Sequence, residues 1–124
     1  MTDRLTPDEL LLIASNILGS EPLVRDHGLI SSASARPQTN VFGVEAYTDI
    51  WTKAAALMHS LVSNHPLIDG NKRLGWVAMR VYLEINGVPP LRANVDDAER
   101  FVFDIAKGTL RDVDEIAVRL RALV

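Results

Sequence analysis

The residues best suited to chemistry lie in one short segment near the middle of the chain. It reads His65-Pro66-Leu67-Ile68-Asp69-Gly70-Asn71-Lys72-Arg73. Histidine is the side chain that most readily exchanges a proton near neutral pH, so His65 can serve as a general base. Asp69 supplies a carboxylate oxygen, the hard ligand that Mg²⁺ prefers. The segment therefore combines a candidate base with a candidate metal ligand.

The second half of this segment is expected to open a helix with an unusual charge pattern. Asp69 is a natural N-cap, which places Gly70 and Asn71 in the first helical turn. That turn carries backbone N–H groups without intrahelical partners and the positive end of the helix dipole. Lys72 and Arg73 are disfavoured there by a few tenths to about 1 kcal/mol each. A phosphate would satisfy the amides, the dipole and both cations, so the segment predicts phosphate transfer from a nucleotide to a hydroxyl.

Helices must position this segment, because helical periodicity covers most of the chain. A first helix is expected to open at the capping box Thr6–Glu9 and to end at Gly19. Two longer apolar runs flank the segment, at about 49–64 and 71–85. The second run has few charges in its middle and is expected to be a central, largely buried helix. Two shorter helices are expected at about 96–107 and after Asp112.

Residues 20–47 lack a long period of either kind. Within them, 29–35 fit a short helix, and 37–44 fit a loop or a small β-hairpin. A long irregular stretch in a compact domain is more often functional than idle. The fold class predicted is all-α: one domain over 1–124, built as a compact helical bundle around a central buried helix, with a β-hairpin flap near 37–44.

The composition excludes several classes of protein. The 124 residues include no cysteine, which rules out disulfides, thiolate zinc sites and iron–sulfur clusters. The net charge of −3 argues against a protein that binds nucleic acid directly. No apolar stretch approaches the roughly 20 residues of a membrane span, and the N-terminus has no signal-peptide pattern. A cytoplasmic protein without a membrane partner is expected.

The segment from His65 to Arg73 resembles the signature loop of the Fic/Doc family, H-x-F-x-[D/E]-[G/A]-N-[G/K]-R. The similarity extends over roughly 29–90, from the flap region through the two long helices. Leu67 stands where the motif has phenylalanine, and it is expected to anchor the loop as another apolar residue. The resemblance implies a Fic-like helical fold.

The resemblance also implies roles for individual residues. His65 would deprotonate a serine or threonine hydroxyl of a target protein, and Asp69 would hold Mg²⁺ on the nucleotide, ATP. The flap would dock the target by adding it as a strand. The residues that would surround the phosphates, here called the phosphate cradle, are Gly70, Asn71, Lys72 and Arg73. The residues of the flap that would contact the target are Thr39, Asn40, Val41, Phe42 and Gly43.

Three activities stay open at this point. Lys72 is typical of the Doc branch, whose members resemble kinases that place the γ-phosphate on a target of the elongation factor Tu type and act as toxins. Fic adenylyltransferases, which transfer AMP, have glycine there. A third alternative is a module that binds a nucleotide or partner without chemistry. The chain lacks the inhibitory pattern [S/T]-x-x-x-E-[G/N] of many Fic proteins, so restraint is expected from a separate small antitoxin.

Overall fold

Six α-helices make up most of the computed structural model, which describes residues 2–123. One 3-10 turn and one two-stranded antiparallel hairpin lie between the second and third helices. The elements are α1 (Pro7–Leu18), α2 (His27–Ala35), the 3-10 turn (Arg36–Gln38), β1 (Asn40–Val41), β2 (Val44–Glu45), α3 (Ile50–Asn64), α4 (Asn71–Ile85), α5 (Val95–Lys107) and α6 (Val113–Ala122). The predicted all-α class with a small hairpin is confirmed.

Local capping interactions explain where the helices begin. The Thr6 hydroxyl accepts from the Glu9 N–H at 3.2 Å, and the Glu9 carboxylate accepts from the Thr6 N–H at 3.0 Å. This is the capping box expected from the sequence. Asp49 caps α3 in the same way through the N–H of Thr52. The helix predicted at 29–35 starts two residues earlier, because Asp26 caps it and accepts from two backbone N–H groups.

A central buried helix is present, but it is α3 rather than α4, the helix expected to fill that place. Helix α3 packs against α2, the 3-10 turn, α4, α5 and α6, and nine of its fifteen residues are buried. Between 50 and 64 its only lysine or arginine is Lys53. Helix α4 carries more charges and keeps one face open, on which Trp76, Val77 and Arg80 are only partly buried.

The pair α3 and α4 positions the chemical segment. Gly75 of α4 lies against Val62 of α3, and a Cβ atom at position 75 would overlap the Val62 Cγ2 atom. Glycine therefore lets the two helices approach closely. The short connection 65–70 between them is held at the ends of two well-packed helices. No helix within residues 2–123 has both the length and the hydropathy needed to cross a bilayer.

Candidate functional site

The loop 65–70 is braced by a segment far away in sequence. Val24 forms an antiparallel bridge with Leu67, and the Ile68 N–H donates to the Leu23 carbonyl at 2.9 Å. The Pro66 carbonyl accepts from the N–H of Arg25 at 2.8 Å. Leu67 is 1% exposed, which confirms that it anchors the loop as the missing phenylalanine would. Residues 23–26 thus pair with the loop through backbone hydrogen bonds and fix its shape.

His65 occupies a strained backbone position at the end of α3. It is the C-cap residue, with φ 52° and ψ 61°, a left-handed conformation that non-glycine residues rarely adopt. Its side chain is exposed, and no hydrogen bond holds the imidazole within residues 2–123. Such strain clusters at functional sites. The geometry keeps the backbone of His65 fixed while its imidazole stays available to a substrate.

Arg25 stabilises this end of α3, and no sequence argument pointed to it. Its Nε donates to the carbonyl of His65 at 2.7 Å, and its Nη2 donates to the carbonyl of Asn64 at 2.8 Å. A guanidinium at a helix C-terminus satisfies unpaired carbonyls and complements the helix dipole. Arg25 lies 40 residues before His65 in the chain, so no local spacing signals the pairing.

The N-terminus of α4 differs from expectation in its cap. Gly70, not Asp69, is the N-cap, with φ 92° and ψ 10°, and it makes no side-chain capping bond. The left-handed φ suits glycine. Asp69 is exposed and uses one carboxylate oxygen, Oδ1, to accept from the Gly70 N–H at 2.9 Å. Its other oxygen bonds to no donor within the described residues. The carboxylate is therefore more accessible to a metal ion than that of an N-cap aspartate would be.

The first turn of α4 has the unpaired amides expected of an anion site. Within residues 2–123, no acceptor pairs with the backbone N–H groups of Asn71, Lys72 and Arg73. The side chains of Lys72 and Arg73 are exposed beside them. The free amides, the positive end of the helix dipole and two cations therefore lie in the same first turn, a combination suited to binding phosphate.

Asn71 has a different role from the one expected for its side chain. Its Oδ1 accepts from the Leu67 N–H at 2.9 Å, and its Nδ2 donates to the Leu67 carbonyl at 2.9 Å. The side chain closes the loop on itself and so shapes the predicted phosphate cradle. What Asn71 offers an anion is chiefly its backbone N–H.

Lys72 and Arg73 open onto a groove of about 1000 Å³ between α4 and α5. Arg73 is steadied by a hydrogen bond from its Nη2 to the carbonyl of Ile17 at 3.2 Å. Arg80 lines the same groove, and its Nε is buried without a partner in the described part of the chain. Arg80 follows Arg73 by seven residues, which places both on one helix face. That spacing is the sequence signal that marks Arg80 as a third cation of this groove.

The flap forms the predicted hairpin, with its strands at 40–41 and 44–45. Val41 pairs with Val44 and Asn40 with Glu45, so the docking residues predicted, Thr39–Gly43, cover only the first strand and the turn. Phe42 and Gly43 have φ of 52° and 82°, and positive values at both central residues are typical of a type I′ turn. The Phe42 side chain is fully exposed at the tip.

His59, six residues before His65, lies beside the base of the flap. The Nη1 of Arg36 donates to its Nδ1 at 2.8 Å. Arginine can only donate, so Nδ1 accepts and the imidazole is neutral in this contact. Burial, and then the charge of Arg36, lower the pKa of His59 below its ordinary value of 6.5. Protonation of His59 would break this contact.

A pH dependence of stability follows from this lowered pKa. Between the pKa of the folded state and 6.5, the unfolded chain binds more protons at His59 than the folded chain does. Neutral His59 therefore contributes fully to the free energy of unfolding above pH 6.5, and this contribution is lost as the pH falls from 6.5 towards the pKa of the folded state. We expect the free energy of unfolding, measured with urea from pH 7.5 to 5.5, to fall less for His59→Asn, which accepts a hydrogen bond without titrating. Identical pH slopes for the two proteins would contradict this assignment.

Known proteins resemble this chain over most of its length. The model of the Fic/DOC family matches residues 4–83, a range that contains the flap, the loop and the start of α4. The protein named Toxin Doc of Mycolicibacterium smegmatis is 47% identical over 122 residues, covering 97% of this chain and 92% of that protein. The family match spans more than half of the chain and includes every predicted site residue. The chain therefore belongs to the Fic/DOC family.

Proposed function

We propose that the protein is the toxin of a toxin–antitoxin pair and a kinase that transfers the γ-phosphate of ATP to a serine or threonine hydroxyl. One observation carries this proposal: the three unpaired amides at the start of α4, with Lys72 and Arg73 beside them. The similarity to Toxin Doc supports the toxin assignment. Lys72, typical of the Doc branch, supports γ-phosphate transfer over AMP transfer.

The donor set at the loop fits a nucleotide with its magnesium ion. Mg²⁺ is usually bound by one or two carboxylates together with substrate phosphates and waters. Asp69 supplies one exposed carboxylate with an oxygen to spare. Bound there, Mg²⁺ would neutralise charge on the phosphates. The backbone amides of the first turn of α4 and the cations of Lys72 and Arg73 hold the phosphate oxygens.

His65 is the residue that moves a proton in the proposed reaction. Its imidazole accepts the proton of the target hydroxyl, as general bases do. The hydroxyl oxygen forms a bond to the γ-phosphorus while the bond from that phosphorus to the bridging oxygen of ADP breaks. The products are a phosphorylated target, ADP and the proton on His65, which passes to solvent.

The flap is the proposed docking surface for the target. Both strands of the hairpin are exposed, and they have no neighbouring strand on their outer sides in the described part of the chain. An extended target segment can therefore add to either edge by main-chain hydrogen bonds. By resemblance to the Doc branch, we propose a target of the elongation factor Tu type, with the activity restrained by a cognate antitoxin.

Phe42 provides a test of this docking surface. A phenylalanine in the left-handed region costs about 1 to 2 kcal/mol, yet it presents its whole ring to solvent. Asparagine tolerates this conformation and favours type I′ turns, so Phe42→Asn keeps or strengthens the hairpin while removing the ring. We expect KM for the target to rise about tenfold, with KM for ATP within twofold of the original. An unchanged KM for the target would show that the ring takes no part in docking.

The experiment that tests the function uses ATP labelled at either the α- or the γ-phosphate. The purified protein is incubated with Mg²⁺, each nucleotide and purified elongation factor Tu, and protein-bound label is counted. We expect label from γ only. Label from α only would establish AMP transfer instead. Binding of ATP by calorimetry, without label on the target or on any protein of a bacterial lysate, would identify a module without chemistry.

A further inference from the structure

Lys53 is a buried cation with a complete set of partners. The residue is 5% exposed. Its Nζ donates to the Tyr47 carbonyl at 2.6 Å, to the Glu45 carboxylate at 3.0 Å and, more weakly, to the Pro37 carbonyl at 3.4 Å. An ammonium group has three N–H donors, so each one has an acceptor. Burying a lysine is costly unless it is paired in this way.

The three partners of Lys53 enclose the flap hairpin on both sides. Pro37 precedes β1, Glu45 ends β2 and Tyr47 follows it. The hairpin itself has two exposed residues in each strand, and an isolated two-stranded hairpin is only marginally stable in water. One ammonium group on α3 therefore fastens both ends of an element that would otherwise fray.

Arg36 makes a second connection between the same elements. Its Nε donates to the Tyr47 hydroxyl at 3.0 Å, and its guanidinium carbon lies 5.7 Å from the centre of the Tyr47 ring. Its Nη1 donates to the Ser60 hydroxyl at 3.0 Å as well as to His59. The base of the hairpin is thus attached to α3 at two levels, at Lys53 and at 59–60.

We propose that Lys53 is a positioning residue that holds the hairpin at a set place on α3, the helix that ends at His65. Twelve residues separate Lys53 from His65, about 18 Å of helix at 1.5 Å per residue. A target strand added to the hairpin is then presented at a constant distance from the base. The effect on catalysis rests on the proposed function. The attachment of the hairpin to α3 can be measured without any activity.

The attachment is tested by hydrogen exchange and NMR relaxation. In the wild-type protein, we expect order parameters for 40–45 close to the 0.85 of a rigid backbone. Lys53→Met keeps the length of the side chain and removes the donors. We expect it to speed exchange of the Ala46 N–H, which donates to the Thr39 carbonyl, at least tenfold, with exchange in the α3–α4 contact unchanged.

Glu45→Gln is the matched control, because glutamine keeps an oxygen that accepts from the Lys53 Nζ and removes only the charge of a side chain that is 61% exposed. We expect Glu45→Gln to leave the exchange rate of the Ala46 N–H within about twofold of the wild-type rate, because the carbonyl of Tyr47 still accepts from Lys53. Order parameters below 0.6 for 40–45 in the wild-type protein, or unchanged exchange in Lys53→Met, would overturn the proposal. The order parameters of the wild-type protein test the proposal even if Lys53→Met does not fold.

A kinetic measurement separates positioning from a purely structural role. With purified elongation factor Tu, we expect Lys53→Met to raise KM for the target about tenfold and to leave KM for ATP within twofold. Equal changes in both constants would overturn the positioning role. Absence of label transfer by the wild-type protein would count against the proposed function alone, since the exchange data report the attachment independently.

Discussion

Replacing His65 by asparagine is expected to lower the rate of the proposed phosphate transfer roughly a hundredfold to ten-thousandfold, the range that a positioned general base contributes. Asparagine tolerates the left-handed backbone of position 65 better than alanine does, so the variant removes the base without disturbing the end of α3. The exposed imidazole makes no hydrogen bond within residues 2–123, and its loss leaves the phosphate cradle intact. Initial rates with labelled ATP measure the loss of transfer rate. Calorimetry is expected to find an affinity for ATP within twofold of that of the wild-type protein.

His27→Asn is the matched control for this variant. His27 is also exposed and begins α2, and its side chain makes no hydrogen bond to the loop 65–70 in the described part of the chain. We expect its rate and its nucleotide affinity to equal those of the wild-type protein. A His65→Asn protein that keeps more than a tenth of the original rate would eliminate His65 as the base.

Replacing Lys72 by glycine is expected to weaken the proposed γ-phosphate transfer roughly ten- to a hundredfold, the loss that follows from about 1.5 to 3 kcal/mol for a hydrogen bond to a charged group. Lys72 is exposed in the first turn of α4, where we propose that its ammonium binds the phosphates. Glycine also opens room beside the unpaired amides. We therefore expect some AMP transfer, seen as label from α-labelled ATP on the target.

Lys72→Gln separates the charge of this side chain from its bulk. We expect it to lose γ-phosphate transfer to a similar degree without gaining AMP transfer, because the room stays filled. Unchanged products and rates in both variants would show that Lys72 does not set the orientation of the nucleotide. Thermal unfolding of each variant controls for the cost of glycine in a helix, at most about 1 kcal/mol.

The sequence by itself determined the helices and the contents of the chemical segment. Caps such as Thr6 and Asp49 accept from amides three residues further along the chain, so they can be identified without the fold. The unpaired amides at the start of α4 are likewise a property of any helix N-terminus. The hairpin was also predictable, although its second strand lay beyond the predicted docking residues.

Only the tertiary structure decided which helix is central and how the loop is held. Arg25 reaches carbonyls about 40 residues further along the chain, and Lys53 binds the hairpin across the surface of α3. The cap at Gly70 and the side chain of Asn71 depend on a loop whose shape is set by pairing with 23–26. Spacing along a chain predicts contacts within about one helical turn, whereas these partners meet because separate helices pack together.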